Sequence, residues 1–184
     1  MGIKKKIFKI LLITIIVVIP LGYYFNQFSV QKALDTVIEI DRTKNKVLFT
    51  KQEADYDKYV DNKKLKEYYK TRDKYNILWA SNNNVANIKS TVGYSKHKGL
   101  ALFNRCFVFF TAQSNVIDTR EPVEAKAVSY NRFVILRAKS GSWYVVKDIS
   151  QYGNKISIRD ILDSSYLDKK ISEYKDYIKN YYNN

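Results

Sequence analysis

One stretch near the N-terminus constrains this chain more than any other. Residues 7–25 read IFKILLITIIVVIPLGYYF, and from Ile10 onward no charged residue occurs before Lys32. A helix needs about 20 apolar residues to cross the hydrocarbon core of a bilayer, at about 1.5 Å rise per residue. The stretch therefore predicts a transmembrane helix at residues 10–28, preceded by a tail at residues 1–9.

A cleavable secretory signal also begins with basic residues, so the two kinds of segment have to be separated. The apolar stretch is longer than the roughly 7–15 residues of a signal's hydrophobic region. The positions that follow, 28–30 and 31–33, match the small-x-small cleavage pattern poorly. These features favour an anchor that stays attached to the mature chain.

The flanks of the predicted span set its orientation. An excess of lysine and arginine keeps a short flank in the cytoplasm, and aromatic rings favour the membrane interface. The basic flank carries Lys4, Lys5, Lys6 and Lys9, and the opposite flank carries Tyr23, Tyr24, Phe25 and Phe28. We therefore expect a single-pass cell-membrane protein with a cytoplasmic N-terminus and one extracytoplasmic domain at residues 29–184, which is long enough for one core.

The charge of the chain bears on its partners. The formal net charge is +14, and the four lysines before the span account for only four of these charges. A basic exported domain suits anionic wall polymer or lipid, and the alternative is a solvated lysine-rich surface without a partner. Candidate anion-binding residues are Lys63, Lys66, Lys70 and Lys74. Nucleic acid is not expected, because the helical spacing buries the tyrosines that lie among these lysines.

Nothing in the sequence identifies a catalytic or metal-binding set. Cys106 is the only cysteine and His97 the only histidine, so a disulfide within the chain cannot form and a nucleophile has one histidine at most as its base. Zinc motifs and phosphate-binding glycine loops do not occur. We therefore expect a protein that is not an enzyme and that holds neither a metal nor a cofactor.

The first half of the chain has the spacing of helices. Apolar residues recur every three or four positions over residues 29–40, although residues 37–40 and 47–49 would also suit a hairpin across the polar segment 41–46. Asp61 or Asn62 can cap a second helix. The apolar face of that helix contains Leu65, Tyr68, Tyr69, Arg72, Tyr75, Leu78 and Trp79.

The second half changes to an alternation with a period of two. Strands are predicted at residues 85–94, 100–112, 123–128, 133–138 and 143–149, with turns at Gly99 and at residues 139–142. An amphipathic helix follows at residues 165–182. The fold class is α+β: an N-terminal transmembrane helix, then helices packed on a curved antiparallel sheet of about four strands, and a C-terminal amphipathic helix.

The order of these elements carries a resemblance. Helices followed by a curved sheet that ends in a turn and the strand SGSWYVVKD, residues 140–148, resemble the cone-shaped nuclear-transport-factor-like (ketosteroid-isomerase-like) superfamily. With one N-terminal span and a final helix, the chain is also similar to the scaffold subunits of type IV secretion and conjugation machines. The resemblance implies a cone fold outside the membrane and envelope proteins, or further copies of the chain, as partners.

Two functions follow as hypotheses. The first is a binding or assembly module anchored in the membrane, as a scaffold subunit of a conjugation or secretion apparatus. The alternative is a small-ligand-binding or enzymatic cone on the cell envelope, in which Asp148 could act as a base, although we expect it to face water at its strand end. Candidate residues for a pocket or an interface are Phe107, Phe109, Trp143, Tyr144, Tyr174 and Tyr181.

Overall fold

A computed structural model describes residues 2–82, 88–118, 126–153 and 155–183. Side chains are described from residue 21 onward, except at residues 83–92, 96, 114–128, 152, 154 and 183–184. The elements in chain order are α1 (Gly2–Thr50), α2 (Lys63–Asn82), β1 (Ile88–Leu102), β2 (Arg105–Asp118), β3 (Lys126–Lys139), β4 (Ser142–Tyr152), α3 (Ile158–Leu162) and α4 (Tyr166–Asn183).

The four strands form one curved antiparallel sheet in the order β1-β2-β3-β4. Side chains alternate between the two faces of a strand, and in β2 the residues Cys106, Val108, Phe110 and Ala112 point into the core. The core continues into α1 and α2, which lie on the same face of the sheet. The prediction of an α+β fold with a curved antiparallel sheet is therefore confirmed.

Helix α1 is longer than the spacing over residues 29–40 predicted. It runs without a break from Gly2 to Thr50, and Val47 is buried within it. The alternative of a hairpin between residues 37–40 and 47–49 is wrong. The three- and four-residue spacing of the buried face continues through Asp41 and Lys44, so packing against the sheet keeps this polar segment helical.

The predicted helices at the middle and the end of the chain are confirmed. Asn62 is the residue that caps α2, because its Oδ1 accepts hydrogen bonds from the backbone N–H of Lys64 (3.0 Å) and of Leu65 (3.2 Å). Helix α4 lies along α2, where tyrosines of the two helices make tilted and edge-on ring contacts and Ile171 enters the core. The amphipathic stripe of α4 is thus covered mainly by α2.

Two strand boundaries differ from the predictions. Gly99 does not form a turn but lies within β1, and the chain turns at Phe103 and Asn104 instead. A Cβ at position 99 would collide with the side chain of Val30, so the glycine permits close packing of β1 on α1. The strands predicted at residues 123–128 and 133–138 are parts of one strand, β3, and residues 85–87 and 123–125 lie outside the described residues.

The predicted membrane span falls on the N-terminal part of α1. Among the residues whose side chains the structure describes, no helix is long and apolar enough to cross a membrane. Residues 10–20 of the predicted span lie outside that part of the chain, although α1 runs through them. The span at residues 10–28 therefore stays a prediction.

Candidate functional site

A cavity of about 820 Å³ opens between the helices and the second half of the sheet. Helices α1, α2 and α4 and strands β3 and β4 all contribute to its wall. Sites for small molecules commonly have volumes of about 300–1,000 Å³. Five tyrosines line the cavity: Tyr68, Tyr130, Tyr166, Tyr174 and Tyr177.

Arg132 of β3 forms the centre of a buried ionic network on the cavity wall. It is only 2% exposed. Its Nε donates to Asp148 Oδ1 at 2.8 Å and its second terminal nitrogen to Asp148 Oδ2 at 2.7 Å, which makes a bidentate pair. Its other terminal nitrogen donates to Asp41 of α1. One guanidinium therefore holds a helix and two strands together.

Both carboxylates of the network remain ionised. Burial alone would raise the pKa of Asp148, but Arg132, Lys44 and a hydrogen bond from the Tyr69 hydroxyl hold that pKa well below its usual range. Burial acts in the same direction on Asp41, and Arg132 and Lys44 again outweigh it and lower the pKa. Burial of two carboxylates is tolerated here because each has several donors.

Lys44 adds a second cation to the network from the next turn of α1. Its Nζ lies 3.5 Å from Asp41 Oδ1, 3.4 Å from Asp148 Oδ2 and 4.1 Å from the centre of the Tyr69 ring. Burial and the neighbouring Arg132 nevertheless lower the pKa of Lys44 to about 7. Lys44 can therefore gain or lose a proton near neutral pH at the cavity wall.

Two tyrosine hydroxyls complete the network. Tyr69 of α2 donates to Asp148, and Tyr94 of β1 donates to Asp41 Oδ2 at 2.8 Å. Burial, together with the acceptor carboxylate, raises the pKa of both phenols. The two hydroxyls thus stay protonated donors. With them, the network joins α1, α2, β1, β3 and β4.

A second buried cluster, formed by Tyr56, Asp73 and Arg72, reaches the cavity through Arg72. The Tyr56 hydroxyl donates to Asp73 at 2.8 Å, and Arg72 lies 3.2 Å from the same carboxylate. The Arg72 guanidinium also stacks on the Tyr69 ring, with 5.2 Å to its centre, and lines the cavity. Arg72 thus connects this cluster to the network of Arg132.

The chemistry of this arrangement favours binding over proton abstraction. Asp148 is ionised, but its oxygens already accept hydrogen bonds from Arg132 and Tyr69, so it is poorly placed to take a proton from a substrate. The accessible wall instead offers tyrosine rings, the amides of Asn45, Asn76 and Gln151, and cationic donors, one of which, Lys170, pairs with Glu173. These groups suit a polar ligand that carries a ring.

The expectation that Asp148 faces water is wrong, for a reason that lies in the strand. The pairing of β3 with β4 is irregular: Ile135 pairs with Lys147, but Leu136 pairs with Val145. The extra residue at Val146 is a bulge, and a bulge reverses the alternation that follows it. Asp148 therefore points to the same side as Val145 and enters the core.

The aromatic residues predicted to form a pocket or an interface lie in three places. Tyr174 lines the cavity, whereas Tyr181 lies against Tyr75 near the end of α2. Trp143 packs against the core. Phe107 and Phe109 are half-buried on the opposite face of the sheet, and Tyr144 is half-buried on β4. The structure thus brings only Tyr174 to the cavity.

The candidate anion-binding lysines lie on α2, partly engaged with acids of the same domain. Lys66 lies 2.7 Å from Asp57, and Lys74 lies 3.9 Å from Glu53. Lys63 and Lys70 are exposed. Exposed ion pairs contribute little energy, so these pairs leave the lysines able to bind another anion. Docking to an anionic polymer stays a prediction, and we expect added salt to weaken it.

Cys106 and His97 do not form a pair. Cys106 lies opposite Ala101 in the pairing of β1 with β2, whereas His97 is exposed in the irregular segment between Ser95 and Lys98. Burial raises the pKa of the Cys106 thiol to about 11. A protonated thiol on the core face acts as a small apolar residue.

Sequence reasoning missed Asp41, Lys44 and Arg132. A signal for each of them was present. Asp41 and Lys44 continue the spacing of Val30, Leu34 and Val37 on α1. In β3, Arg132 alternates with Val134 and Leu136, so a cation on the apolar face indicates a buried partner.

Comparison with known proteins assigns no family to the chain. No protein-family model, curated protein or solved structure matches it.

Proposed function

We propose that the protein is a membrane-anchored module that binds or assembles with other components of the cell envelope through its domain outside the membrane. The observation that carries this proposal is the continuity of α1. The helix passes through the predicted span and then supplies Val30, Ala33 and Val37 to the domain core. A helix of 49 residues is about 73 Å long, so one element serves as anchor and as scaffold.

Exposed aromatic residues at the end of the predicted span support an anchor. Four aromatic side chains near this end of α1 are each more than half exposed: Tyr23, Tyr24, Phe25 and Phe28. Exposure of aromatic rings to water is unfavourable, whereas their position among lipid headgroups is favourable. We name these four residues the aromatic belt.

Alkaline extraction and cysteine labelling of the full chain in cells test the anchor. We expect alkali to leave the chain in the membrane, and a membrane-impermeant maleimide to label Y182C in intact cells but K5C only after permeabilisation. Wild type, whose single Cys106 is buried, gives the background labelling. Release by alkali, or labelling of K5C in intact cells, would contradict the proposal.

Assembly within a conjugation or secretion apparatus is the specific form of this proposal. Its support is the order of elements: one long N-terminal helix, a second helix, a four-stranded sheet and a final helix. The outer face of the sheet offers a surface, because Phe107 pairs with Ile135 and Phe109 with Phe133, all four half-buried.

Photo-crosslinking in native membranes tests that form. We expect a crosslinker at Phe109 to capture either subunits of such an apparatus or a second copy of the chain, and a crosslinker at exposed Lys179 on α4 to capture them less. Equal capture at both positions, or a clean monomer at Phe109, would count against assembly through the sheet.

A second candidate function, the binding of a small ligand, is favoured by the cavity itself. Its volume and its convergent tyrosine, amide and cationic groups suit a polar molecule with a ring. An NMR screen of cyclic, polar fragments against the full chain in micelles tests it. We expect hits at millimolar concentration that disappear in N76W, which fills the cavity; no hits, or hits that persist in N76W, would contradict it.

A further inference from the structure

The tip of the hairpin between β1 and β2 is unusually apolar and exposed. Leu100 and Leu102 are about half exposed, and Phe103 is fully exposed. Phe103 and Asn104 form the turn between the two strands. Turns of this kind ordinarily carry polar residues or glycine, so an apolar tip indicates a contact that removes it from water.

The backbone conformation at Phe103 strengthens this argument. Its φ is 53°, in the left-handed region. Glycine, asparagine and aspartate adopt that region readily, whereas a phenylalanine there is strained. The exposed ring thus makes no compensating contact within the described part of the domain, although its conformation is unfavourable.

The packing of β1 on α1 places this tip beside the aromatic belt. Gly99 packs against Val30, and the Asn26 side-chain amide donates to the Ala101 carbonyl at 2.6 Å. From the first contact to the second, α1 moves back four residues, from Val30 to Asn26, while β1 advances two residues toward the tip, a distance of about 6 Å in each element. A further step of the same length brings Phe103 level with Gly22.

Basic residues lie near the apolar tip, and two of them, Arg137 and Lys139, share the carboxylate of Asp61. Arg105 follows the turn directly, and the Ala138 N–H donates to the Asn104 carbonyl at 2.8 Å, which holds the neighbouring β3–β4 hairpin at the same end of the sheet. That hairpin adds Arg137 and Lys139, of which Lys139 is largely exposed. Apolar side chains rimmed by basic ones suit the interface of an anionic bilayer.

We propose that the tip formed by Leu100, Leu102 and Phe103 is a second membrane contact, which inserts into the headgroup region of the outer leaflet beside the aromatic belt. This inference rests on the proposed anchor. Two contacts, α1 and the hairpin, fix the tilt of the domain, whereas one helix alone would leave it free. Lys44 lies 22 residues beyond Gly22 on α1, so the cavity stands about 30 Å above the tip.

Depth-dependent quenching tests the contact in the full chain. We label F103C with an environment-sensitive fluorophore after reconstitution into vesicles of phosphatidylcholine and phosphatidylglycerol that contain a lipid nitroxide. The control is Y182C, since Tyr182 is exposed at the end of α4. We expect blue-shifted emission at position 103 and quenching several-fold stronger than at position 182.

The outcomes separate the contact from the anchor. Release of the chain from the vesicles by alkali would overturn the anchor and the contact together. A retained chain with equal quenching at positions 103 and 182 would overturn the contact alone. A label at 103 that is shielded from a water-soluble quencher but not reached by the lipid nitroxide would indicate a protein surface and would also overturn it.

Discussion

The two ends of the domain depart from the usual rule that apolar side chains are buried and charged side chains are exposed, but they do so in opposite ways. At the end near the predicted span, large apolar side chains such as Tyr24 and Phe103 are exposed. Around the cavity, charged side chains such as Asp41, Arg132 and Asp148 are buried. Exposed apolar clusters and buried charges both cost stability unless a partner compensates them.

The difference lies in how each end is compensated. The buried charges satisfy one another within the domain, through Arg132, Tyr69 and Tyr94. The rings of the aromatic belt contact only one another and Lys32 among the described residues, and the hairpin tip stays exposed. We infer that the bilayer covers both. The same helix, α1, carries both patterns, so the end with the predicted span and the end with the cavity lie on one continuous helix.

The largest expected effect comes from breaking the buried network. R132M would leave two carboxylates buried without their main cation, which destabilises a protein by about 3–5 kcal/mol. Urea unfolding of the full chain in micelles, followed by tryptophan fluorescence, measures the loss. R137M is the matched control in the same strand: its pair with Asp61 is more exposed, so we expect a loss under about 1 kcal/mol. Equal losses would refute a special role for the network.

Removal of a single donor has a smaller effect. Y69F deletes the hydroxyl that donates to Asp148, and a hydrogen bond to a charged group is worth about 1.5–3 kcal/mol. The same urea titration measures it. Y59F removes a hydroxyl from a half-buried ring outside the network, and its unfolding midpoint should match that of wild type. A Y69F midpoint equal to that of Y59F would show that the Tyr69 bond is dispensable.

Lys44 predicts a rise of stability with pH. Its pKa is about 7 in the folded chain, under the influence of burial, Arg132, Asp148, Arg72 and Asp41, and near 10.5 when unfolded. Between these values the unfolded state binds more protons, so the free energy of unfolding increases with pH by at most about 1.4 kcal/mol per unit. Unfolding from pH 7 to pH 9.5 should show this slope in wild type and lose it in K44M. If the free energy of unfolding rises no more steeply with pH in wild type than in K44M, Lys44 does not have a lowered pKa in the folded chain.

The smallest effect concerns the exposed end. F103N places a residue that tolerates φ of 53° in the turn, and we expect the free energy of unfolding in micelles to rise by about 1 kcal/mol. L102N, in the neighbouring strand position, should not raise it. A loss of stability in F103N would show that contacts of the ring, with the micelle or with the domain, outweigh the strain of its backbone.

Local periodicity predicted much of this fold. The spacing of Leu65, Tyr69 and Tyr75 identified α2, the stripe from Leu167 to Tyr181 identified α4, and a glycine turn identified the hairpin of β3 and β4. These elements bury one regular face, so sequence pattern and packing agree in them.

Tertiary contacts decided the rest. Asp41 and Lys44 read as a polar turn, but opposite charges from other elements keep them in a helix. The bulge at Val146 reverses the face on which Asp148 lies. A glycine such as Gly99 is compatible with a turn or with a close approach of helix and strand, and the sequence alone does not distinguish the two. Tyr174 and Asp148 were singled out from the sequence, but their arrangement with Asp41, Lys44 and Arg132 could not be predicted, because it depends on partners that are distant in the sequence.

Hydrogen exchange of the full chain in lipid nanodiscs tests the central claim, that α1 connects the membrane to the domain as one rigid helix with the hairpin tip beside it. We predict uninterrupted protection of backbone amides across residues 20–35, with slower exchange at residues 100–104 in nanodiscs than in micelles of a short-chain detergent. Fast exchange at residues 24–30 would reveal a hinge between span and domain and would contradict the account.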